Sequence, residues 1–294
     1  MADKKRIPVL LDTDIGTDVD DAFALALILA SPELELRGVT TVGSEPETRA
    51  RMTCRFLTAV GRREVPVAAG ATPQPEEEIN KQGKYAQHPD VERNRTSRPV
   101  KETAVEFLYQ QLKKQPGELT LLTIGPLTNI ARLFREHADC KPWIKRIVMM
   151  GGSVRVGYKG KEPPEVEWNI RCDIAAAQTV FEAGVPLVVA PLDATTMLKL
   201  EELLRQRLFQ AETPLTQQVQ ELYRLWAAPT PTLFDPVAVM LCFDERFCEM
   251  KELRLTVDDK GMTRSVKGKA NARVALAIRG EEFLRWYVER VRAK

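Results

Sequence analysis

The chain has 294 residues, with 43 Lys and Arg against 41 Asp and Glu for a net charge of +2, and 44% of its residues are hydrophobic. That balance excludes a disordered acidic tail, a polybasic nucleic-acid arm and a basic membrane-surface protein, and leaves a small molecule as the expected partner. The five cysteines, at 54, 140, 172, 242 and 248, form no C-x-x-C pair and have no nearby His at metal-ligand spacing, which reads as free thiols in a reducing compartment.

The first apolar run, residues 7–11, meets a turn rich in Asp and Gly, and a helix-forming segment over 21–30 follows. A strand over 34–42, a helix over 47–60 and a strand over 65–68 extend the alternation. Residues 71–99 are polar, interrupted by Pro and Gly and without periodicity, and read as a loop that borders or covers a site. A strand over 119–124 runs into Gly125-Pro126, where Pro suits the first turn of a helix over 127–134. Strands over 144–150 and 186–190 enclose a helix over 174–183. Two helical segments follow between 199 and 227, then short strands between 252 and 277 and a last helix ending near Arg292.

Apolar strands separated by helices predict one α/β domain over 1–294, with a mainly parallel central sheet flanked by helices. In such a Rossmann-like core the ligand crevice lies beyond the carboxyl ends of the strands. Chemistry is therefore expected at residues 12–21, 41–45, 124–129, 150–153 and 191–195. The run at 7–11 is too short for a signal-peptide core and no stretch approaches the ~20 apolar residues of a membrane span, so the expected location is the cytoplasm, with no membrane or nucleic-acid partner.

The densest chemistry is DTDIGTDVDD, which places Asp12, Asp14, Asp18, Asp20 and Asp21 at a strand end. Turn formation and helix capping account for one or two of these acids. Two carboxylates ~4 Å apart repel by about 4 kcal/mol at an effective dielectric of 20, so three or more converging need raised pKa values or a cation. Ca²⁺ and Mg²⁺ take oxygen ligands of this kind. An EF-hand loop starting at Asp12 is excluded, because Thr17 and Phe23 stand where Gly and Glu are required. A haloacid-dehalogenase-type Mg²⁺ phosphatase with Asp12 as nucleophile is an alternative, although Ile15 interrupts its D-x-D-G-T pattern and Asp20-Asp21 go unexplained.

The run from Asp12 to Ala22 resembles the D-x-D-P-G-x-D-D-A signature of the calcium-dependent nucleoside hydrolases, the inosine-uridine preferring type, with Ile15 for Pro and two extra residues before the paired acids. Three more segments match in order: IGPLTNIA from Ile124, EWNI from Glu167 with Asp173 and Ala175-Ala176, and FDPVA from Phe234. The resemblance implies Ca²⁺ bound by Asp14, Asp21, Asp235 and the main-chain carbonyl of Ile124. It implies Asp14 as general base, and Asp20, Glu167, Asn169 and Asp235 as ribose contacts. The insertion leaves the matching of Asp18 and Asp20 open. Trp168 is expected in the core.

The sequence departs from the family at two positions. Ser44 stands where many members carry a ribose-contacting Asn, and Phe234 replaces a His that protonates the departing base in some of them. Of the two histidines, His137 reads as a surface residue. His88 reads as a loop residue that could approach the site, and one of Tyr223, Arg224 and Trp226 could stack on or protonate a base, a spacing equally consistent with a helix that covers the core. The resemblance thus implies hydrolysis of a ribonucleoside or related N-riboside by a homodimer or homotetramer. A non-catalytic riboside-binding protein is the other reading, kept open by Ser44 and Phe234.

Overall fold

The computed structural model describes residues 5–73 and 98–294. The chain opens with β1 (Ile7–Thr13), α1 (Asp20–Ala30), β2 (Leu34–Thr41), α2 (Pro46–Ala59) and β3 (Val67–Ala69). It continues through α3 (Ala104–Lys114), β4 (Thr120–Thr123), α4 (Thr128–Glu136), a 3₁₀ turn over Ala138–Trp143 and β5 (Arg146–Met150). Next come the short α5 (Trp168–Cys172), α6 (Ile174–Phe181), β6 (Leu187–Ala190) and α7 (Leu192–Thr195). The last third holds α8 (Glu202–Phe209), α9 (Pro214–Trp226), α10 (Asp235–Leu241), β7 (Cys248–Val257), β8 (Thr263–Val266), β9 (Ala272–Ile278) and α11 (Gly280–Arg292).

These strands form one nine-stranded sheet in a single α/β domain, in the order β3-β2-β1-β4-β5-β6-β9-β7-β8. The first seven in that order run parallel, and β7 and β8 add an antiparallel ribbon at one edge. Strands buried on both faces have no need to alternate. β4 and β6 are buried at every residue, as is β1 after Ile7. One face of the sheet packs on α1, α2, α9, α10 and α11, and the other on α3, α4 and α6. Among the described residues, no helix is long and apolar enough to cross a membrane.

The chain leaves β1 to build β2 and β3 on one side, and later returns to place β4 on the other. This reversal is the switch point at which open parallel sheets bind ligands. It sets the loop after β1 beside the loop after β4. Gly125 makes that approach feasible, since a Cβ there would lie 2.9 Å from both Asp14 N and Asp14 Oδ1 and 2.8 Å from Val42 Cγ1.

Candidate active site

A pocket of about 110 Å³ lies over this switch point. Asp14, Thr17 and Asp18 come from the loop after β1, and Asp20 and Asp21 open α1. Ile124 and Met150 end or follow β4 and β5. Tyr158, Glu167, Trp168 and Asn169 belong to the segment before α6, and Phe234 and Asp235 open α10. Two helices therefore aim their N-terminal ends, carrying buried acids, into the pocket, where the positive end of each helix dipole favours negative charge.

Asp20, Asp21 and Asp235 each present an oxygen within 4.8 Å of the others, and all three are buried. Ligand oxygens held 2.3–2.6 Å from one Ca²⁺ lie no more than ~5 Å apart, so the spacing and the all-oxygen donor set fit a hard divalent cation. Burial pushes all three carboxyls well above the usual range, and neighbouring acids, Asp14 among them, push further. Thr13 offsets part of this by donating its hydroxyl to Asp21 Oδ1. Exposed Asp18 is raised as well, by desolvation and then by the Asp14 charge, although its Oδ1 accepts from Val19 N at 2.7 Å.

Glu167 caps α5. Its Oε1 accepts from Asn169 N at 2.8 Å, and its Oε2 accepts from Gly152 N at 3.0 Å and Ile170 N at 3.1 Å. Desolvation outweighs these bonds and lifts the carboxyl to about 7. The Asn169 amide NH₂ donates to the carbonyls of Ile124 and Met150, each at 3.3 Å. Both side chains are thereby fixed in place before any ligand arrives.

Beneath the pocket Asp12 is 1% exposed. Its Oδ1 accepts from Thr40 Oγ1 at 2.5 Å and Asn129 Nδ2 at 2.8 Å, whereas Oδ2 is buried without a hydrogen-bond partner. Burial lifts this carboxyl to about 7 against those two bonds. Asp12 does not line the pocket, which removes the geometry that a phosphatase nucleophile requires.

The inosine-uridine preferring nucleoside hydrolase profile matches residues 9–285. The chain belongs to that family. Pyrimidine-specific ribonucleoside hydrolase RihA of Salmonella enteritidis PT4 is 32% identical over 270 residues, covering 87% of this chain and 85% of that protein. Among solved structures, the plant nucleoside hydrolase PpNRh1 superposes with a TM-score of 0.85 at 23% identity, over 99% of this chain and 100% of the other. The purine-preferring ribonucleoside hydrolase from Gardnerella vaginalis gives 0.83 at 23% identity, over 97% and 98%. At that identity both establish the fold.

In this nucleoside hydrolase the structure brings Asp14, Asp20, Asp21, Ile124, Glu167, Asn169 and Asp235 to one pocket. Asp20 joins Asp21 and Asp235, while Asp18 sits at the mouth. Ser44 does not line the pocket. It lies half-buried after β2, and its carbonyl accepts from Arg49 Nε at 2.8 Å. His88 falls outside the described residues, as does most of the 71–99 stretch. Trp168, expected in the core, lines the pocket instead, because the Glu167 cap turns the chain there.

His137 stacks on Tyr109 at 3.9 Å, and the Tyr223 hydroxyl donates to Pro229 O at 2.9 Å; neither reaches the pocket. The 191–195 segment turns elsewhere, with Asp193 accepting from Val154 N and Arg155 N. Sequence reasoning missed Tyr158, which carries no motif, whereas Thr17 and Met150 fall in the strand-end segments 12–21 and 150–153 where chemistry is expected. It also missed Arg49, whose signal is its position one and two turns before Thr53 and Phe56 on the buried face of α2.

Proposed function

We propose that this chain hydrolyses the N-glycosidic bond of a ribonucleoside or related N-riboside to ribose and free base. In this reading Asp14 is the general base, and Ca²⁺ is held by Asp14, Asp21, Asp235 and the Ile124 carbonyl. The observation that carries it is the convergence of these buried oxygens on one pocket at the switch point of a nucleoside hydrolase fold. When bound, the cation would orient a water and lower its pKa.

Asp14 then takes the proton of the attacking water. As the C1′–N bond lengthens, positive charge grows on the ribose ring, and the carboxylates of Asp20 and Asp235 stabilise it. Asn169, its NH₂ anchored to two carbonyls, offers its amide oxygen to a ribose hydroxyl. Glu167 keeps a lone pair on Oε1 for another.

The test is reducing-sugar release from a panel of purine and pyrimidine nucleosides by wild type and Asp21→Ala, with protein-bound calcium measured in both. The variant is expected to lose calcium and to fall about a hundredfold or more in kcat/KM. Equal activity in the two proteins would remove the metal role. Stoichiometric calcium without ribose release from any nucleoside would favour a riboside-binding protein.

A further inference from the structure

The lining of the pocket divides into two chemistries. Its acids lie beside the rings of Tyr158, Trp168 and Phe234, with Tyr158 and Phe234 edge-to-face at 6.3 Å and 75°. Asp18 adds an exposed carboxylate at the mouth, beyond those that the cation and the ribose employ. Among the described residues that line the pocket there is no Lys, Arg or His. Tyr158 is 39% exposed as a residue, yet it is a reluctant acid: desolvation around its hydroxyl, and then the charge of Glu167, hold its proton more tightly than in an ordinary phenol, and its oxygen accepts from Trp168 N at 2.8 Å.

A neutral nucleoside expels its base as an anion unless a donor protonates it. A base already cationic at the ring departs as a neutral molecule and needs no donor. The same ligand suits the walls. Aromatic faces attract a cation by about 0.5–2 kcal/mol, and a carboxylate at the rim adds attraction of the same sign.

Resting on the hydrolase reading above, we propose that the favoured substrates are cationic N-ribosides, namely pyridinium or N7-alkylated purine ribosides, held by Asp18 and the rings of Tyr158, Trp168 and Phe234. The water oxygen bonds to C1′ as the C1′–N bond breaks. The bonding pair passes to the ring nitrogen and cancels the positive charge of the base, and Asp14 takes one proton from the water. The products are ribose, a neutral base and one proton.

The experiment compares kcat/KM of the full chain with calcium for two cations, nicotinamide riboside and 7-methylguanosine, and two neutral nucleosides, uridine and inosine. The cations are expected to lead by about tenfold or more, with a KM that rises with added salt while that of uridine does not. Asp18→Asn, an exposed change whose folding is checked by thermal melting, should lower kcat/KM for nicotinamide riboside about tenfold more than for uridine. Neutral substrates turned over as well as or better than the cations, or an equal loss for both classes in Asp18→Asn, would overturn the substrate class and leave the hydrolase reading standing. Ribose from none of the four would overturn the hydrolase reading itself.

Discussion

Arg49 is 1% exposed, and its guanidinium donates to the main-chain carbonyls of Asp14, Ile15 and Ser44. One buried cation thus fastens the loop after β1 to the loop after β2. Gly43 makes room for it: at φ 104° it adopts a backbone that side chains disfavour, and a Cβ there would lie 3.1 Å from Arg49 Nε. The positive charge also opposes the rise in the Asp21 pKa. Replacing Arg49 with Met leaves three main-chain carbonyls, two of them buried, without their donor and removes a counter-charge from the acids. A loss of about 3–5 kcal/mol in urea unfolding is expected, together with weaker calcium binding by titration calorimetry. The acids themselves were legible, since D-x-D with a following D-D is dense enough to stand out. Arg49 was not, because it sits in a run with Arg51 and Arg55 and only its helical phase marks it as inward-facing.

At the scale of elements, α1 decides where the acids stand. All eleven of its residues are buried, so it is clasped between the sheet and the helices α9, α10 and α11 rather than lying on a surface. The Tyr287 hydroxyl of α11 donates to Phe23 O at 2.9 Å and ties the last helix to the first. Tyr287→Phe keeps the packing and removes that bond, and a loss of about 1 kcal/mol by denaturant unfolding is expected with calcium affinity unchanged. The strands of the parallel core were legible as short apolar runs, and the helices between them as their complement. The antiparallel ribbon was less so, because β7 mixes exposed and half-buried residues and offers no continuous apolar run. The helices α5, α7 and α10 span too few turns to display a period in sequence. Helix α3 was absent from the sequence expectation although Ala104, Val105, Phe107, Leu108 and Leu112 keep helical spacing, being masked by the polar stretch before it.

For the molecule as a whole, the raised carboxyls set the dependence of stability on pH. In the chelated protein, Asp12 and Glu167 titrate at about 7, and Asp20, Asp21 and Asp235 also lie well above ordinary Asp. The folded chain therefore holds protons that the unfolded chain has released above about pH 4, and stability falls as pH rises through that interval. The melting temperature in EDTA is expected to drop between pH 5 and about pH 7.5, and calcium should raise it most at the alkaline end, where no proton competes. A melting temperature in EDTA that rose over the same interval would contradict the buried, mutually repelling arrangement of the acids.

Asp20 and Asp21 lie near the start of the chain and Asp235 lies in its last quarter, yet their oxygens meet within 4.8 Å. During synthesis the first acids leave the ribosome long before their partner exists, and until then they remain separate and solvated. The cluster is consequently a late product of folding, formed only when α10 docks against α1 and closes a long loop. Tight cation uptake would therefore mark the moment at which α10 of a nascent or refolding chain has reached α1, so that an ion added during refolding would serve as a clock for the assembly of this pocket.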